Sequence, residues 1–170
     1  MTIVTDLLQS ASNGIVPIYE HLWNTFIPFV FFILWASVND LKTMKIKDYQ
    51  NLVFFLLGLL LFGGSSLGVL DTGFTLGMDH IYGLIVGFLV LFIPGMILNI
   101  PIGGDIKFVT VMGFWVGPAA ILLILIFSTM IQLLILIVKS IRMRHFSLQN
   151  KFPFAPAFSL GFFVSLIILL

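Results

Sequence analysis

The stretch PIGGDIKFVTVMGFWVGP, residues 101–118, decides how this chain folds. It stands between two long apolar runs. Joined to the second of these runs, it belongs to one kinked helix from 105 to 138. Read alone, it is a short helix from Asp105 to about Val116, and Gly117-Pro118 is a turn into a separate helix. Proline is favourable at a helix start and unfavourable inside one, so Pro118 argues for the turn. The two readings send everything after residue 118 in opposite directions.

The rest of the sequence tests the choice. The 170 residues are 60% hydrophobic and 9% charged, where soluble domains carry about 25% charged residues. Such a chain cannot solvate its own surface in water, so its solvent is lipid and the fold class expected is all-α, a polytopic membrane protein. A hydrocarbon core of about 30 Å asks for about 20 apolar residues per helix. Long spans are read at about 22–39, 50–70, 79–99 and 117–138, with a slightly short one at 153–170. The segment before Gly117 is a sixth, short helix, fourth in order.

With six spans, Lys42, Lys45, Lys47, Lys107, Lys139, Arg142, Arg144 and Lys151 all fall on one face. The positive-inside rule makes that face cytoplasmic and puts both termini outside. With five spans the basic residues divide between faces. Tyr19, Trp23, Tyr82 and Trp115 then lie near outer ends and Trp35 and Tyr49 near inner ones, as interfacial belts. The 19 phenylalanines are read as lipid-facing packing. Residues 1–21 precede the spans as an extracytoplasmic tail or interfacial helix, the latter with Ile3, Val4, Leu7 and Leu8 as its apolar face. They have no basic n-region and no long apolar core, and so do not read as a cleavable signal peptide. Residues 22–170 form one membrane domain.

The absence of cysteine removes thiolate chemistry and cysteine-based metal sites. His21, His80 and His145 lie far apart, and neither a metal nor any other cofactor is expected. Eight basic against seven acidic residues make no basic patch for nucleic acid.

Asp40 closes the first span and Asp105 opens the fourth, at one depth in the six-span arrangement. Taken singly, each is equally an ordinary interfacial acid paired with a lysine such as Lys42 or Lys107. The residues around Asp105 add to this. Pro101 ends the third span, and Gly103 and Gly104 allow close approach of another backbone beside the carboxylate. Two facing carboxylates can share a proton, one acting as general base on a water and the other as general acid on an amide. Ser37, Ser128, Ser140 and Ser147 have no His-plus-acid pattern around them.

Three patches resemble the type IV prepilin and preflagellin peptidases, membrane aspartyl proteases of the GxGD class. NDLKTMKIKD resembles the family's Asp, basic residue and isoleucine, here Asp40, Lys42 and Ile46. GGDIKFVTVMGFWVG resembles its Gly-Asp-x-Lys and following helix, here Gly104, Asp105, Lys107, Gly113 and Trp115. PFAPAFSLG, residues 153–161, is similar to the Pro-Phe-x-Pro start of a later helix, with Pro153 and Pro156. Ile102 stands where the full motif has glycine, and Lys47 where the family has proline. The resemblance implies that Asp40 and Asp105 are the catalytic pair. It further implies that Gly103, Gly104, Lys107, Lys42, Ile46, Pro153 and Pro156 shape the site or bind substrate. The partners it implies are prepilin-like or preflagellin-like precursors, which lose a short basic leader at the cytoplasmic membrane face. Larger family members carry a cysteine-rich insertion and amino-methylate the product, so this cysteine-free chain is expected to be a peptidase only. The alternative is a non-enzymatic transporter subunit or assembly factor that uses the same acids to bind a proton or cation.

Overall fold

The structure, a computed structural model, describes residues 2–70, 72, 76–99, 103–143 and 153–170, apart from the side chains of residues 2, 22 and 139–143. Among these residues the secondary structure is helical throughout: α1 (Thr2–Glu20), a π-turn (Leu22–Phe26), α2 (Ile27–Thr43), α3 (Asp48–Ser66), α4 (Met78–Leu98), α5 (Gly103–Met143) and α6 (Phe154–Leu169). Four segments are long and apolar enough to cross a membrane: Trp23–Thr43, Asp48–Ser66, Met78–Leu98 and Gly103–Val138. The last, of 36 residues, would rise about 54 Å as a straight helix, nearly twice the hydrocarbon thickness.

It is not straight. Gly117 has φ 80° and ψ 175°, a conformation essentially confined to glycine. It divides α5 into a first arm (103–116) and a second arm (118–143). Contacts with α6 show that the two arms run in opposite directions. Phe108 of the first arm packs on Phe158, with ring centroids 5.1 Å apart. Gly161 of α6, only three residues further on, lies against Ile124 and Ser128 of the second arm. Positions 108 and 124–128 would be separated by about 24–30 Å along a continuous helix. They meet α6 within one turn of each other, so the chain reverses at Gly117. Pro118 starts the second arm, as its ring favours.

Glycines set how closely the arms approach their neighbours. A Cβ on Gly83 of α4 would overlap the Gly113 carbonyl, and one on Gly113 would overlap that of Gly83. One turn along, a Cβ on Gly87 would sit 2.6 Å from the Val109 carbonyl oxygen. Gly83 and Gly87 are the ends of a GLIVG motif, the small-xxx-small spacing through which membrane helices gain dispersion contacts that lipid cannot outcompete.

The centre is aromatic. Phe54 stacks on Phe32 at 3.8 Å and on Trp115 at 4.2 Å between centroids. Trp115 is fully buried and donates its indole N–H to the Phe54 carbonyl at 3.2 Å. This overturns its reading as an interfacial anchor. Gly58 makes the notch, since a Cβ there would lie 2.7 Å from the indole nitrogen. Trp23, Tyr82 and Tyr49 are exposed, as belt residues would be. Phe29, Phe32, Phe54, Phe62, Phe108, Phe114, Phe158 and Phe162 are buried, so much of the phenylalanine packs inside rather than against lipid. Lipid exerts no hydrophobic force that would sort rings inward or outward; ring-on-ring geometry decides.

Residues 2–20 form a helix, with its apolar side split between two tasks. Ala11, Ile15 and Ile18 are buried, and Gly14 lies against Val116 and Ala120 at the reversal. Ile3, Val4 and Leu7 are exposed, and Leu8 packs partly against the core.

Candidate active site

The buried stripe of α2 runs Phe29, Phe32, Ile33, Ala36, Ser37, Asp40. Asp40 therefore points inward because it continues a helical repeat whose other members are core. It is 3% exposed. Asp105 stands in the first turn of α5 and opens an equivalent stripe that continues through Phe108, Met112 and Trp115. It is half-buried. Each aspartate thus ends an apolar stripe, and the two stripes end on the same side of the bundle.

Three contacts bring the three motif patches together there. Asp40 Oδ2 accepts the backbone N–H of Ala155 at 2.9 Å. Ala155 lies in the first turn of α6, whose start is set by Pro153 in extended conformation (φ −66°, ψ 122°). Pro156 follows within the same turn, where its missing N–H costs nothing. A carboxylate at this place also meets the positive end of the helix dipole. Gly104 lies against Ile46, with a Cβ placed 3.3 Å from the Ile46 carbonyl oxygen. Ile46 itself is buried in the α2–α3 connection. Lastly, Phe108, one turn after Asp105, packs against Phe32 of α2 and Phe158 of α6, with ring centroids 6.2 and 5.1 Å away.

The remaining candidates divide. Lys107 pairs not with Asp105 but with Asp48 of α3, at 2.7 Å, and both side chains are largely exposed. Such a pair is worth about 0–1 kcal/mol. Lys42 is exposed in the last turn of α2. Gly103 and Gly104 begin α5, and open space surrounds Gly103. The close approach permitted by the pair is therefore Gly104 to the chain's own Ile46. Pro101, Ile102, Arg144, His145, Ser147 and Lys151 lie outside the described residues, as do the side chains of Lys139, Ser140 and Arg142.

Sequence reading missed a polar layer around the aspartates. Ser37 and Ser159 hydroxyls meet at 2.6 Å, joining α2 to α6 one turn below Asp40. Asn39 donates to Gln50 Oε1 at 2.9 Å, joining α2 to α3. Gln50 and Asn51 are both buried. The available signal was the pairing of two carboxamides at the start of an apolar run.

Asp40 is held by a backbone donor, whereas the Asp105 carboxylate makes no hydrogen bond or ion pair with the described residues. Its oxygens are thus available to a water or an amide. Among the described residues no three His, Asp or Glu side chains gather as a metal would need. A cavity of about 330 Å³ lies toward the opposite end of the bundle, at the reversal, and includes Ser10, Asn13, Asp79, His80 and Gly117. His80 there stacks on Phe62 and bonds the Phe114 carbonyl at 2.7 Å, which is a packing role.

No curated protein and no solved structure matches this chain. A family model does. It covers residues 27–138, about two thirds of the sequence, and so takes in both aspartates but not the Pro153–Pro156 patch that the fold docks on Asp40. On that match the chain belongs to the type IV leader peptidase family.

Proposed function

We propose that this protein is a membrane aspartyl endopeptidase that removes the short basic leader of type IV prepilin-like or preflagellin-like precursors. Asp40 and Asp105 are the catalytic pair. The observation that carries the reading is their convergence: two acids 65 positions apart in an apolar chain, on helix ends that pack together at one end of the bundle, in a chain of a leader peptidase family. One carboxylate draws a proton from water while the other protonates the leaving amide nitrogen.

In this reading α2, α3, α4, the two arms of α5 and α6 cross the membrane six times, residues 22–170 are the peptidase domain, and α1 rests on its outer side. The opposed arms of α5 support it, because reversal at Gly117 returns the end of α5 to the side that carries Lys42, Lys45, Lys47 and Lys107, the face assigned to the cytoplasm. In this reading the aspartates lie at the cytoplasmic surface of the plasma or inner membrane. The absence of cysteine supports cleavage without amino-methylation.

Co-expression with a prepilin-like precursor tests the reading. Leader removal on a gel, lost in Asp40→Asn and in Asp105→Asn, is the expected result. Ion-dependent flux with no cleavage would instead make the pair a cation or proton site.

A further inference from the structure

α3, α4 and the first arm of α5 form the walls of an open cavity of about 300 Å³, lined among others by Asn51, Phe55, Phe88, Ile106 and Thr110. Its α5 wall begins one residue after Asp105. Apart from Asn51, Thr110 and the Asp48–Lys107 pair, its lining is apolar. Thr110 already spends its hydroxyl on the Ile106 carbonyl at 2.7 Å.

Asn51 is different. It is 4% exposed, and neither its Nδ2 nor its Oδ1 has a partner. Gln50 next to it has committed its oxygen to Asn39 and to the Lys47 N–H, but its Nε2 is also without a partner. An unpaired carboxamide in an apolar surrounding is destabilising, and within a membrane there is no bulk water to relieve it. A carboxamide carries one donor group and one acceptor side by side. That is the complement of a peptide unit, which offers one C=O and one N–H.

A helical segment has no such groups to offer, because its own ladder uses them. The matching ligand is peptide backbone pulled out of helix, with a large apolar side chain in the cavity. A scissile peptide must be unwound in any case before a carboxylate pair can reach it.

We propose that Asn51 is a substrate-positioning residue: its carboxamide pairs with the unwound backbone of a precursor beside the scissile bond, while an adjacent apolar side chain fills the cavity between α3, α4 and α5. The proposal rests on the leader-peptidase reading and adds the group that registers the peptide against Asp105.

The test uses the full chain in detergent and a synthetic precursor peptide, a basic leader followed by an apolar run. Asn51→Leu is close in size and removes both polar atoms. It is expected to raise KM about tenfold with kcat within about threefold, the signature of binding lost equally from ground and transition states. Thermal stability should hold or rise, because an unpaired polar group has gone. Unchanged kcat/KM overturns the proposal, as does a fall that tracks a loss of folded protein. A second measurement does not depend on turnover. In this cysteine-free chain, Phe88→Cys on an Asp105→Asn background should form a disulfide with a peptide carrying cysteine next to the scissile position. Absence of that crosslink, with a cysteine in the peptide's distal tail as comparison, counts against the cavity. Cleavage that survives Asp40→Asn and Asp105→Asn sinks the catalytic reading instead, and leaves Asn51 to be judged on its own KM and crosslink.

Discussion

The carboxylate of Asp40 accepts the backbone N–H of Ala155 across 115 positions of sequence, at 2.9 Å. This one contact fixes the start of α6 against the end of α2. It gives Asp40 a structural duty that Asp105 lacks, since no described residue bonds the Asp105 carboxylate.

The two aspartates should therefore respond differently to substitution. Asp40→Asn keeps an acceptor oxygen for Ala155 and should lose activity with little change in stability. Asp40→Ala leaves a buried N–H unpaired and should cost a further ~1–3 kcal/mol. Asp105→Asn and Asp105→Ala should match each other in stability. Each of the four should lower cleavage by about 10²–10⁴-fold if its carboxyl acts as acid or base. Thermal unfolding beside a cleavage assay reads both quantities. Equal stability of Asp40→Ala and Asp40→Asn would remove the structural role.

The α4–α5 seam should be intolerant of a single methyl. Gly83→Ala and Gly113→Ala each push a Cβ into the opposite backbone, and overpacking of this kind costs about 1–3 kcal/mol. Gly63 serves as comparison, because open space surrounds it. As alanine is the better helix former by about 1 kcal/mol, Gly63→Ala should be neutral or stabilising. Melting temperatures of the three variants in one detergent decide the matter.

The reversal at Gly117 was legible because three independent signals agreed on it: Pro118, the brevity of the segment before it, and the placement of every Lys and Arg. The shared depth of the aspartates was legible from the two spans read between them, which carry the chain away from Asp40 and back before Asp105. What resisted reading was which side each helix turns inward. In α1 the buried side is Ala11, Ile15 and Ile18, while the more apolar start of the helix is exposed. Trp115 sits in the core rather than at an interface because Gly58 leaves room for its ring and Phe54 supplies an acceptor. Neither partner is near it in sequence. In lipid, hydrophobicity no longer distinguishes inside from outside, so the pattern that sorts a soluble helix is silent here. Gln50 and Asn51 went unread for a related reason: at the end of a span a polar residue looks solvated, and only packing shows it is enclosed.

Sidedness can be measured directly, because the chain contains no cysteine to remove first. Lys47→Cys in the α2–α3 connection should react with an impermeant maleimide only from the cytoplasmic side. Leu67→Cys, at an 81% exposed position after α3, should react only from outside. Labelling of position 47 from outside would invert the topology and move the aspartates away from a cytoplasmic leader.

Gly117 offers the sharpest test of the fold, because two readings of α5 predict opposite signs. In an unbroken helix, Gly117→Ala would be stabilising by about 1 kcal/mol from helix propensity alone. In the structure, Gly117 holds φ 80° and ψ 175°, a region costing a side-chain-bearing residue of order 1–3 kcal/mol. Gly117→Ala should thus lower the melting temperature. Gly117→Asn should do so too, although asparagine tolerates positive φ elsewhere in this chain: Asn99 sits at φ 51° and ψ 39° as the cap of α4. That is the left-handed helical region, where asparagine's short polar side chain is accommodated; the extended ψ of Gly117 lies outside it. Space is not the obstacle, since a Cβ at Gly117 would touch nothing within 4 Å. Any loss is therefore backbone strain. Straightening α5 would also carry the second arm away from Gly161, so cleavage should fall along with stability. A stabilised Gly117→Ala protein would mean that the two arms form one continuous helix, and that the second arm does not return along α6.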